Sequence, residues 1–139
     1  LLIIAIISYS GLSAQTDRDI IEDVVSKSYV LGIHNGGDIS YIESGFHPGF
    51  EMLGIGQDSR SLTKLPIYTW LDNIKQSREA GRVPTQETKS KFVNVDITGK
   101  SAVVKLELYR EDKLIFTDYI MLYKFDSGWK IVSKIYNRH

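Results

Sequence analysis

His34 and His47 are the titratable side chains with the widest chemical range, since an imidazole titrates near neutral pH and can act as acid, base or metal ligand. His34 stands near the end of a helical stretch, where satisfying the last carbonyls is its expected role. His47 lies in Phe46-His47-Pro48 and has two readings, contact with a ligand or a structural hydrogen bond. Together they do not make a metal site, because a zinc or non-haem iron centre needs a third ligand at rigid spacing and the chain has nothing like HExxH. The absence of cysteine removes disulfides, thiolate nucleophiles and iron–sulfur ligation. Neither a phosphate-cradling glycine loop nor a nucleophile–His–Asp order occurs. Glu107 and Asp118 are the carboxylates best placed for acid–base work, but as charges on strands both are expected to face outward. No residue is assigned a catalytic role, and no metal or cofactor is expected.

Aromatic residues offer a second kind of chemistry, the stacking of a flat ring. Trp70 shares a helical face with Ile67, Leu71 and Ile74, so it either packs in the core or lines a cavity. In the second case Tyr29, Phe46, Trp70 and Tyr119 form an aromatic wall, with His47 at its edge. These five residues are the candidate ligand-binding set. A pocket for such a ligand is expected to exceed about 300 Å³, and a smaller one weakens the ligand reading.

The elements that must position these groups follow from the pattern. Thr16 or Asp17 caps a helix whose first turn carries Asp19 and Glu22, and Ile20, Ile21, Val24, Val25 and Tyr29 recur at helical spacing until Asn35-Gly36-Gly37 stops it. Asp38 caps a short second helix containing Ile39 and Ile42. Phe50 to Ile55 reads as a strand, with Gly56-Gln57-Asp58-Ser59 as a turn. Pro66 opens a third helix that ends at Ala80-Gly81. From Ser90 to Asn137 the chain reads as a meander of four strands, with Val93, Val95 and Ile97 alternating on the first and Trp129 anchoring the last. Helices first and antiparallel strands afterwards specify an α+β domain with helices on one sheet face.

In Leu114–Phe125 both alternation classes are apolar: Ile115, Tyr119, Met121, Tyr123 and Phe125 on one side, Phe116, Ile120 and Leu122 on the other. A sheet with one solvated face alternates more cleanly, so the outer face is expected to be covered by a second copy of the protein.

At 139 residues the chain has the length of one domain, and its 17 basic against 17 acidic residues lack the basic stripe that nucleic acid demands. Residues 1–14 are uncharged and open on an apolar run, and Leu12-Ser13-Ala14 offers small residues for a signal peptidase. Residues 1–14 are therefore expected to be the C-terminal part of an export leader, leaving residues 15–139 as the mature, periplasmic or secreted domain. The run is too short for a membrane span.

Three segments taken together, Gly32-Ile33-His34-Asn35-Gly36-Gly37-Asp38, Phe46-His47-Pro48-Gly49-Phe50 and Trp129-Lys130-Ile131-Val132-Ser133-Lys134-Ile135-Tyr136, resemble the putative lumazine-binding family of the nuclear transport factor 2-like, or SnoaL-like, superfamily. The resemblance runs from Asp17 onward. It implies a cone in which a strongly curved sheet wraps the long helix and leaves a pocket at the open end, often in a dimer, with a pteridine-like ligand suggested by the family name. The leading expectation is an exported, dimeric protein that binds a flat aromatic or heterocyclic small molecule. The rivals are a SnoaL-like or ketosteroid-isomerase-like acid–base enzyme working through His47 with a Tyr or Asp partner, and a scaffold whose cone is plugged by its own side chains.

Overall fold

Thr16 starts the first helix by a reciprocal cap, its hydroxyl accepting from the Asp19 backbone N–H while the Asp19 carboxylate accepts from the Thr16 N–H. In the computed structural model, which describes residues 14–139, α1 (Asp17–Val24) runs without a break into a π-helical segment, Val25–His34. The expected leader lies, apart from Ala14, outside the described residues. The Asn35 N–H closes the π segment on the Val30 carbonyl at 3.0 Å, five residues back. This wider turn brings Tyr29 and His34 to one side of the helix. Asp38 caps α2 (Ile39–Gly45) by accepting from the Ser40 N–H at 2.8 Å. After β1 (Phe46–Ile55) and β2 (Leu62–Pro66), α3 (Ile67–Glu79) begins directly behind Pro66, which occupies its N-cap position.

The meander consists of β3 (Lys89–Thr98), β4 (Ser101–Arg110), β5 (Lys113–Phe125) and β6 (Gly128–Arg138). The six strands form one curved sheet in the order β2-β1-β6-β5-β4-β3, antiparallel except where β1 runs parallel to β6. Glu111 and Asp112 both adopt positive φ, 47° and 62°, which gives the tight β4–β5 turn a twist that suits the two strands. The helices cover one sheet face, where Leu106, Leu108, Ile120 and Leu122 are each at most 1% exposed; burial of each contributes about 1.5–3 kcal/mol. Trp129 is the anchor its position implies, buried, with its indole N–H donating to Asp17 at 2.9 Å and so tying the start of β6 to the start of α1. On the other sheet face Tyr119, Met121, Tyr123 and Phe125 are exposed. No helix among the described residues is long and apolar enough to cross a membrane.

Three irregularities change which side chains face inward. In β1 the register moves from Phe46↔Ile131 to Glu51↔Ser133, so the His47-Pro48-Gly49-Phe50 stretch bulges against β6 and the strand begins earlier than the expected Phe50. In β3 a slip between Phe92 and Asn94 leaves Val93 without a partner and exposed, while Phe92 and Val95 pack inward, correcting the simple Val93-Val95-Ile97 alternation. In β6 the pairs Leu122↔Ile131 and Met121↔Ser133 leave Val132 as an extra residue. Trp129 and Ile131 face the helices before it, and Lys134, Tyr136 and Arg138 face them after it. Strict alternation would have turned Ile135 inward and Lys134 out.

Candidate functional site

The sequence of β5 sets one wall of the cone. Phe116, Asp118, Ile120 and Leu122 share its inner face, so Asp118 lies wholly buried under the helices and not outward as expected. An isolated ionised carboxylate there would be prohibitively costly, and two partners meet it. Lys134 Nζ donates to Asp118 Oδ1 at 2.8 Å, and the Tyr29 hydroxyl donates to Asp118 Oδ2 at 2.6 Å. Lys134 Nζ also donates to the Tyr29 oxygen at 2.6 Å, closing a three-membered network that joins the π segment, β5 and β6. Each member depends on an element described above: the π turn aims Tyr29, strand parity aims Asp118, and the Val132 bulge aims Lys134.

Beside this network is a cavity of about 200 Å³, lined by aromatic and cationic side chains that include Trp70, Phe116, Tyr136, Lys134 and Arg138. His34 also lines it, its ring edge-on to Tyr29 at 4.7 Å and 6.4 Å from Phe116. Tyr136 packs edge-on to Phe116 at 5.8 Å, and Lys134 lies 4.9 Å from the Tyr136 ring centre. His34 Nε2 is buried without a hydrogen-bond partner among the described residues. Burial, helped by the nearby positive charges of Lys134 and Arg110, lowers the His34 pKa to about 3, so the ring is neutral at physiological pH. Burial and the Asp118 charge push the Tyr29 phenol well above its ordinary value; burial pulls Lys134 down, with Asp118 opposing it.

His34 thus does not hold the helix-terminal carbonyls. Arg78 of α3 takes that role, its guanidinium donating to the Gly32 and Gly37 carbonyls at 2.8 Å each. Of the five candidate ligand residues, Tyr29, Phe46 and Trp70 come together, their ring centres 6.2–6.5 Å apart. Tyr29 and Trp70 reach the cavity, whereas Phe46 is buried against Phe50 behind them. His47 is not at the cavity. Its ring stacks on Phe125 at 4.6 Å and its Nδ1 accepts from the Gly49 N–H at 3.0 Å, so the structural hydrogen bond is the reading that holds. Tyr119 is on the outer face because its neighbour Asp118 points in, and Lys105 lies over its ring at 5.7 Å. Glu107 does face outward, bonded to the Tyr109 hydroxyl. Sequence reasoning missed His34 and Lys134 as cavity residues; for Asp118 the signal existed, since its parity matches Phe116, Ile120 and Leu122.

No cluster of three or more potential metal-ligating His, Cys, Asp or Glu occurs among the described residues. A family model described as putative lumazine-binding matches residues 16–137. No curated protein matches the chain. Among solved structures, a nuclear transport factor 2-like protein of unknown function from Shewanella baltica is 25% identical with a TM-score of 0.68, covering 91% of this chain and 98% of its own. A nuclear transport factor 2-like protein from Cytophaga hutchinsonii, 16% identical, has a TM-score of 0.68 over 90% of this chain and 100% of its own. A domain of unknown function with a cystatin-like fold from Nostoc punctiforme is 12% identical, with a TM-score of 0.63 over 91% of this chain and 80% of its own.

Proposed function

We propose that this chain, which belongs to the putative lumazine-binding family, is an exported small-molecule-binding protein that holds a flat ring in the cavity between the π segment and the sheet. The observation that carries this reading is the composition of the cavity: Trp70, Phe116 and Tyr136 as aromatic walls around a polar floor of Tyr29 and Lys134, both fixed from behind by Asp118. Few, fixed polar groups in an aromatic cleft orient a ligand without spending its binding energy on rearrangement. A cavity of about 200 Å³ is smaller than the roughly 300 Å³ expected from the sequence, which weakens the ligand reading for a two-ring, pteridine-like molecule and confines the proposal to the compact end of the class. An apolar cavity of about 150 Å³ is known to take benzene, so one ring with small substituents fits.

Binding is favoured over proton transfer by the state of the titratable groups at the cavity. A general base works best with a pKa near the operating pH; His34 at about 3 and Tyr29 well above its usual value are both moved away from neutrality, and Lys134, which burial lowers, is held as a donor to Asp118 and Tyr29. His47, stacked on Phe125, does not reach the cavity. The dimer belongs to the same proposal: exposed Tyr119, Met121 and Tyr123 form an apolar outer surface, with a groove of about 500 Å³ beside Val103, Met121 and Tyr123, suited to a second copy.

A native mass spectrum of the purified protein tests both parts. A dimer carrying a small-molecule mass that Trp70→Ala loses is the expected result. An unliganded monomer, with tryptophan fluorescence unmoved by any of a panel of one-ring compounds, would overturn the reading.

A further inference from the structure

Resting on the assignment of this cavity as a ligand site, we propose that its ligand class is a single-ring aromatic carboxylate, with the ring against Phe116, Trp70 and Tyr136 and the carboxylate on Arg138. The charges of the lining carry the inference. Lys134 and Arg138 are both cationic, and no acidic side chain lines the cavity. The Lys134 charge is already matched by Asp118 at 2.8 Å behind the wall. The Arg138 guanidinium, exposed at the end of β6, makes no ion pair or side-chain hydrogen bond among the described residues. One unmatched positive charge therefore faces a neutral aromatic cleft, in a protein whose overall charge is zero.

Register places the two recognition elements side by side. Arg138 is directly opposite Phe116 on the neighbouring strand, and Tyr136 is opposite Asp118. Residues so paired have neighbouring side chains, so an aryl group on Phe116 brings its own carboxylate to the guanidinium, which can grip both oxygens. A cationic ligand would meet Lys134 and Arg138 with like charge. A phosphate dianion would find only one unpaired charge in a wall otherwise built of aromatic rings. The cavity volume of about 200 Å³ leaves room for one ring and its carboxylate.

The test titrates the whole protein with benzoate and with benzamide, its neutral near-isostere, by calorimetry, in parallel with Arg138→Gln and Trp70→Ala. Benzoate is expected to bind at least tenfold more tightly than benzamide. Arg138→Gln should bring benzoate down to the benzamide level while leaving benzamide unchanged, and Trp70→Ala should weaken both. Equal binding of the two compounds, indifferent to Arg138→Gln, would overturn the carboxylate assignment and leave the cavity as a ligand site. Binding of neither compound would overturn the carboxylate assignment, and the panel of one-ring compounds then decides the cavity itself.

Discussion

Acidification should destabilise the fold through His34. In the unfolded chain an exposed imidazole has a pKa near 6.5, whereas in the folded protein burial and the charges of Lys134 and Arg110 hold it to about 3. Below pH 6.5 the unfolded state therefore takes up a proton that the native state refuses. Stability is fully present above that value and is lost progressively as pH falls toward 3. The loss is about 1.4 kcal/mol for each pH unit in this window, or roughly 3 kcal/mol by pH 4.5, a sizeable part of the 5–15 kcal/mol typical of a domain. Urea unfolding of the wild type and of His34→Gln, which cannot titrate, isolates the effect. Surface carboxylates contribute alike to both proteins and cancel in the difference. Relative to its own value at pH 7, the wild type should have lost 2–3 kcal/mol more than His34→Gln by pH 4.5, as the order of magnitude worked above requires. Parallel profiles would show that His34 takes up a proton as readily folded as unfolded, and would refute the picture of a neutral imidazole shut into an aromatic, cation-flanked site.

Three further outcomes are expected. Asp118→Ala should cost about 3–5 kcal/mol in urea unfolding because it strands the Lys134 charge, whereas Asp118→Leu combined with Lys134→Met and Tyr29→Phe, which leaves no member of the network unpaired, should recover most of that loss; equal losses in both would argue against a paired buried charge. Gly45→Ala should destabilise by about 1–3 kcal/mol, because a Cβ there would lie 1.9 Å from Ser28 Oγ and 2.4 Å from Ser28 Cβ, and Ser28→Gly should restore part of it in thermal melts. Tyr123→Lys, placing a charge on an exposed position of the outer sheet face, should halve the mass seen by light scattering without lowering the melting temperature of the monomer; an unchanged mass would place any self-association elsewhere.

The parts of this fold that were legible in the sequence are those written in neighbouring residues. Thr16 and Asp38 cap helices because short polar side chains reach the first free N–H groups, and both do so here. The Gly56-Gln57-Asp58-Ser59 turn bounds β1 and leads to β2 as local turn chemistry dictates. The irregularities were not legible, since a bulge is a property of two strands at once. Nothing in Ile131-Val132-Ser133 announces that Val132 is the extra residue, yet that slip decides that Lys134 and not Ile135 enters the cone. The π segment is equally silent, because its apolar residues also fit a 3.6-residue period, and it is what brings His34 round to Tyr29. Tyr119 is the opposite case: its ring suits stacking, but both faces of β5 are apolar in sequence, and only the inward Asp118 shows that Tyr119 lies outside with Met121 and Tyr123.

The most direct test of the cavity as a ligand site is amide chemical-shift mapping of the isotope-labelled protein against a panel of one-ring aromatic compounds. Shifts concentrated on Tyr29, His34, Phe116, Lys134 and Tyr136, saturating with one compound per chain, are the expected result. Shifts confined to the outer face around Val103, Met121 and Tyr123, or none at all with the fold intact, would contradict it.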